Sequence, residues 1–370
     1  MSRTLIEERI ASHQRFWKGE GPSLLLVSPE SRPLYDTADY ARRFADPQQM
    51  WESEIRRAQP ILDWPTDGIP TVRPNLGVVF VPSIAGQGCE VNNDQMPWPG
   101  EPLPLDAIRA ARRVNVAEAS LMRRAEAFYR IHRERGSADI APYHADTQGV
   151  FDIAHLLYGD EILTAMAGAP AEQAEVFELL EVSLDLYLKV TRRLKDLLGE
   201  SAGSMIHGHG TSQGAFFPKG GARAAEDTAI LLSPAMIRHF VMPFLRRSLA
   251  PFDGGFVHYC GLHRPLFEEL CQCPEVLAID LGNPEKYDPC WVLERCAASG
   301  TVLYSRLSAL DGEDALAYVR RLGTLVRETK ARTILRATVQ PGSREEASEM
   351  LALWHELTRP HAEPRRKNGL

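Results

Sequence analysis

From residue 254 onward, short apolar runs alternate with segments in which apolar residues recur every three or four positions. The runs at 256–260, 276–280, 301–305 and 333–338 read as strands, and the periodic segments at 264–270, 289–298 and 314–330 read as helices between them. A last helix is expected over 343–357, where Ser343 and Glu346 have capping-box spacing. Successive βα units at intervals of roughly 20–30 residues predict parallel strands joined by right-handed crossovers. The first of these strands is bracketed by glycine, in Gly254-Gly255-Phe256-Val257-His258-Tyr259-Cys260-Gly261. Side chains alternate along a strand, so Phe256, His258 and Cys260 share one face. A histidine and a cysteine two residues apart on one face can reach a single metal ion or substrate atom; the same pair also reads as a core histidine beside a buried cysteine.

Upstream the pattern is less regular. The apolar run 76–82 predicts a strand, and its loop carries Gly86, Gly88, Cys89, Asp94 and Trp98. A loop of that length is more often functional than idle. Helical spacing covers 104–135 and 171–198, and Ser233-Pro234 marks a helix start, with a break or kink at Pro243. Polar residues gather at 141–149, which includes Asp146, and at 204–210, which includes His207-Gly208-His209. Asp152, just beyond the first cluster, reads either as a helix cap or as part of a loop facing a substrate. Before residue 75, prolines break everything except helices at 1–20 and 47–57. With further strands near 78, 145 and 205, the expected fold is α/β, a TIM (β/α)8 barrel. The expected division is a helical and irregular N-terminal extension over 1–75, the barrel over 76–360 and a tail over 361–370. No G-x-G-x-x-G opens a helix after a strand, which argues against a dinucleotide fold.

Composition narrows the function classes. A chain of 370 residues with 44% hydrophobic and 25% charged residues can bury a substantial core. The net charge of -7 and the absence of a basic stripe argue against a nucleic-acid partner. No apolar stretch has the length of a membrane span or signal peptide, and six cysteines do not make a disulfide scaffold, so a reducing cytoplasm is expected.

The stretch AEDTAILLSPAMIRHFVMPFLRR followed by FVHYCG, with LGVVFVPSIAGQG, DQMPW and FDIAHLLYGDEIL in order upstream, resembles the uroporphyrinogen decarboxylase superfamily over about residues 75–357. Within it, the chain is most similar to the corrinoid-dependent methyltransferase branch. That resemblance implies a TIM barrel, commonly a homodimer. In that branch a His-x-Cys pair and a distant cysteine on the last strand bind zinc. The zinc activates an acceptor thiol, and the thiolate attacks the methyl group of a methylated corrinoid on a partner protein. His258 and Cys260 are therefore the expected metal ligands. The segment 333–339 carries no cysteine, and Cys271, Cys273, Cys290 and Cys296 fall on helices as packing residues. A third ligand is then expected from Asp227, His207 or His209. These three are also the candidate catalytic residues, Asp227 as acid/base or orienting carboxylate. Arg223, His263, Asp146 and Asp280 are the candidate substrate-binding residues. The Arg-Gln-Ala-Gly-Arg run of the true decarboxylases is absent, which counts against a porphyrinogen substrate. A decarboxylase of another cyclic acid, using Arg223 and Asp227, and a non-catalytic small-molecule-binding barrel remain as alternatives.

Overall fold

A computed structural model of the chain describes residues 4–29, 39–92 and 95–360; Asp94 and the tail 361–370 lie outside the described residues. Among the described residues twelve strands occur in chain order. They are β1 (Leu24–Leu26), β2 (Ile69–Val72), β3 (Cys89–Glu90), β4 (Trp98–Pro99), β5 (Ala141–Pro142), β6 (Met205–His207), β7 (Gln213–Phe217), β8 (Ala222–Ala225), β9 (Gly255–Tyr259), β10 (Val276–Leu281), β11 (Val302–Ser305) and β12 (Thr333–Arg336). β8, β9, β10, β11, β12 and β1 form a continuous parallel sheet, and β2 pairs in parallel with β5. At the two remaining seams, Asp67 N–H donates to Leu25 O (3.0 Å) and Gly149 N–H to Ala225 O (2.6 Å). The result is a TIM-barrel-like α/β fold.

Burial shows why this sequence closes into a barrel. On the sheet strands one set of side chains, Leu25, Val257, Ile279, Leu303 and Leu335, packs outward into the core shared with the helices. The alternating set, Leu24, Leu26, Phe256, Ala278, Val302, Tyr304 and Ile334, forms a separate inner cluster. Two buried faces require apolar residues at every position, which is why these strands read as continuous runs. The same alternation carried one step further points His258, Asp280 and Arg336 inward at the carboxyl ends of β9, β10 and β12.

The structure redraws the expected strands upstream. Residues 76–82 form no strand: Gly77 turns the chain at φ +69°, and the run continues as the buried helix Phe80–Ile84. A short buried apolar run is compatible with either element, and here the turn decides. The strands that occupy the ring before residue 75 are β1 and β2, three and four residues long. The segment near 205 is likewise not a stave. β6 and β7 form an antiparallel hairpin, and β7 pairs antiparallel with β2. The hairpin side chains Met205, Ala215 and Phe217 join the inner cluster. The stave at that point is β8, whose sequence Ala-Arg-Ala-Ala carries little apolar signal.

Most expected helices are present: Pro170–Leu198, Arg264–Gln272, Pro289–Ser299, Ala315–Thr329 and Arg344–Thr358. The region 104–135 is broken, with helices Leu105–Ala110 and Ser120–Arg135 separated by two 3-10 turns. Asn115 starts the second turn by accepting Ala117 N–H. Ser233 caps its helix as expected, and a π-helical turn, Ile237–Val241, absorbs the break ahead of Pro243. Among the described residues no helix is long and apolar enough to cross a membrane.

Candidate functional site

The polar layer above the inner cluster centres on Asp280, fully buried at the end of β10. In-register pairing of β9 and β10 sets Asp280 beside His258, and its Oδ2 lies 2.7 Å from His258 Nδ1. The same oxygen lies 2.8 Å from His209 Nε2, while Oδ1 accepts from Arg336 Nη2. Burial opposes ionisation of Asp280, but Arg336 and His209 outweigh it and hold the carboxyl well below the usual range. An ionised carboxylate only accepts, so His258 must carry its proton on Nδ1. Its Nε2 lone pair is thereby turned toward the mouth of the barrel, the way an outer carboxylate orients a metal-binding histidine.

Two groups face that nitrogen. Cys260 Sγ lies 3.5 Å from His258 Nε2, and Asp227 Oδ1 lies 3.6 Å from it. Cys260 sits one residue past β9 and is exposed, so the common face expected for His258 and Cys260 is realised. Asp227, in the loop after β8, also accepts the backbone N–H of Cys260 at 2.6 Å. Although Cys260 is exposed, partial desolvation of its sulfur together with Asp227 pushes the thiol up to about 12. Asn283 Oδ1 completes the turn by accepting Gly261 N–H at 2.8 Å.

Ligand-type atoms of Asp227, His258 and Cys260 all lie within 4.8 Å of one another, as do those of His209, His258 and Asp280. Zinc bound by N, O and S at about 2.0–2.3 Å spaces tetrahedral ligand atoms about 3.3–3.7 Å apart, and His258 Nε2 lies at such a distance from both Cys260 Sγ and Asp227 Oδ1. In the second set the carboxylate is already shared by two imidazoles and an arginine, an arrangement suited to supporting a ligand rather than being one. The donor set Asp227, His258 and Cys260, an oxygen, a nitrogen and a sulfur, fits a zinc ion by its chemistry.

His207 and His209 reach the site from the inserted hairpin. His209 adopts φ +42°, and its N–H donates to His207 Nδ1 at 2.9 Å. The His209 ring comes within 4.5 Å of the His258 ring, centroid to centroid. Burial dominates over Asp280 and brings His209 down to about 3, so it is neutral at pH 7. Burial and the neighbouring His209 also hold His207 well below the ordinary histidine value. Its ring packs 4.9 Å from that of Tyr143 and 5.0 Å from that of Phe256.

The remaining sequence candidates take other places. Asp146 is clamped between Arg223 and Arg73, the latter 3.5 Å away. Burial raises its carboxyl, but the two arginines outweigh that and lower it to about 2. His263 is the N-cap of Arg264–Gln272: Nδ1 accepts Leu266 N–H (2.9 Å) and Nε2 lies 3.0 Å from Leu232 O. Both of its ring nitrogens are thus engaged by the chain itself.

Arg336, Arg306, Glu226 and Asn283 also belong to this layer, and none of them stands in a motif that marks it in the sequence. Arg336 and Arg306 follow a usable signal, a charged residue at the carboxyl end of a barrel strand. Arg306 bonds Gly282 O at 2.9 Å and lies close enough to Cys260 to lower its thiol somewhat against burial and Asp227. Glu226 is fully buried, its carboxyl pushed well above the usual range by burial and Asp152. Asp152 is pushed up to about 7 by burial and Asp227.

No protein-family model matches the sequence, and no curated protein sequence matches it. Among solved structures the chain is similar to a methyltransferase from Methanosarcina mazei, with a TM-score of 0.64 at 13% identity. The match covers 94% of this chain and 98% of that one. At such identity the likeness is one of fold.

Proposed function

We propose that the chain is a methyltransferase that activates its acceptor at the carboxyl end of β9. The observation that carries this reading is the convergence of Asp227, His258 and Cys260, with their ligand-type atoms within 4.8 Å of one another. The similarity in fold to a methyltransferase supports it. In the methyltransferase branch that the sequence resembles, the third zinc ligand is a cysteine of the last strand. Here that strand ends in Arg336, which pairs with Asp280, and Asp227 offers an oxygen from the loop after β8 instead. Zinc bound by these residues would supply the Lewis acidity that turns an acceptor thiol into a thiolate at neutral pH.

The chain's own groups prepare that position. Asp280 fixes the His258 tautomer, and neutral His209 adds a second hydrogen bond to the same carboxylate. Asp227 holds the Cys260 backbone so that the sulfur stays beside His258 Nε2. The methyl donor in this reading is a methylated corrinoid carried by a partner protein. Three of the exposed large apolar side chains, Leu231, Leu262 and Leu310, lie in the connections that follow β8, β9 and β11, at the carboxyl end of the strands where Cys260 sits. A docking protein would cover such a rim. Arg223, the arginine of the decarboxylase alternative, pairs with Asp146.

Metal analysis of protein purified without chelator tests the proposal. Wild type should carry near-stoichiometric zinc and transfer methyl groups from methylcobalamin to a small thiol, and Cys260→Ala should lose both while keeping its fold. Wild type without zinc, or a fully active Cys260→Ala, would overturn the reading.

A further inference from the structure

The geometry points to Asp152 as the positioning residue that fixes Asp227 against Cys260 and thereby places the third ligand; this rests on the zinc-site reading above. Asp152 stands, buried, in the first turn of helix Val150–Tyr158. Its two carboxylate oxygens take the N–H groups of Asp227 and Thr228, each at 2.8 Å. Those are the backbone groups on either side of the Asp227 carbonyl, so one side chain sets the direction in which Asp227 leaves the chain. Asp227 spends the result on Cys260, whose N–H it accepts at 2.6 Å.

The preceding residue is clamped as well. Glu226 N–H donates to the carbonyl of His258 on β9 (2.9 Å), and Glu226 Oε2 accepts Asp152 N–H (3.2 Å). One turn along the same helix, His155 Nδ1 meets Thr228 Oγ1 at 3.3 Å. Gly149, at the helix entrance, approaches so closely that a Cβ there would lie 2.3 Å from the Glu226 carboxyl. The helix start is therefore seated on residues 225–228, and Asp152 is the contact that reaches the segment carrying the ligand. A cap for its own helix would accept N–H groups of that helix; Asp152 instead accepts from a loop 75 residues away.

Outer carboxylates of this kind typically change metal affinity about ten- to a hundred-fold. The test is a cycle of Asp152→Asn, Asp227→Asn and the double variant, titrated with Co2+ and followed by thiolate charge-transfer and ligand-field absorption. Asp152→Asn should weaken Co2+ binding about ten- to a hundred-fold and shift the ligand-field spectrum to that of Asp227→Asn. The double variant should then match Asp227→Asn, because a residue acting only through Asp227 has nothing left to act on. Unchanged affinity in Asp152→Asn, or losses that add in the double variant, would overturn the proposal. The same cycle is read in metal-free protein from the alkylation rate of Cys260, site-resolved by mass spectrometry. Both single variants should speed alkylation equally and the double no further; additive or absent effects count against Asp152. Wild type that binds no Co2+ would refute the zinc site, while the alkylation cycle still decides the role of Asp152. Should Asp152→Asn not fold, Asp152→Thr, which retains one acceptor, takes its place in both readouts.

Discussion

Asp146 shows how individual residues in the mouth are balanced. It is an acid held by two buried arginines, and its carboxyl falls from the ordinary 3.8 to about 2. A depressed carboxylate contributes stability that is fully present above its unfolded value and is lost as pH falls through the folded one. The shift corresponds to about 2 kcal/mol at neutral pH. Asp146→Asn leaves Arg223 and Arg73 facing each other, so it should cost about 3–5 kcal/mol at pH 7. It should also flatten the loss of stability between roughly pH 4 and pH 2, which urea denaturation at both ends of that range would measure. Equal acid sensitivity in wild type and variant would contradict this account.

Among elements, the β6–β7 hairpin matters most, because it carries His207 and His209 into a barrel whose staves lack them. It is held by packing: the ring of Phe217, fully buried, stacks 5.4 Å from Phe256 and meets Tyr304 at 5.6 Å. Tyr304 in turn donates to His207 O at 3.0 Å. Phe217→Ala should therefore cost about 3–5 kcal/mol. It should also let water reach His209, whose pKa would rise toward the ordinary histidine value because burial is what lowers it most, a change read by NMR titration. A stability loss with His209 still titrating as in wild type would separate the hairpin's packing from its role in the site.

On the scale of the whole molecule, barrel closure gathers loops from distant parts of the chain around Cys260. Leu262 and Leu231 are 50% and 65% exposed there. If the rim receives a corrinoid protein, Leu262→Glu and Leu231→Glu should slow methyl transfer from the protein-borne donor. Transfer from free methylcobalamin and zinc content should stay at wild-type levels. Slowing with both donors would instead place these leucines within the chemistry of the site.

Local rules account for what was legible in advance. Side-chain alternation along Gly255–Tyr259 sufficed to put His258 and Cys260 on one face, because a period of two belongs to any strand. Capping chemistry likewise marked Ser233 and Ser343 as helix starts, and Ser343 Oγ accepts Glu346 N–H at 3.1 Å. The regular βα spacing after residue 254 predicted the parallel sheet, since a crossover needs a helix of that length.

Tertiary structure decided which short runs became staves. Three residues, Leu24–Leu26, close the ring against β12, although nothing local distinguishes them from helix or loop. The same holds for Ala222–Ala225, which becomes a strand because β9 offers it a ladder. The partner of each polar group was also a matter of the fold. Asp280 gathers His258, His209 and Arg336 from chain positions up to 71 residues away. Asp152 reaches a loop across a comparable gap. The sequence by itself determined the periodicities and the chemistry available; ring closure, a long-range event, determined which groups meet.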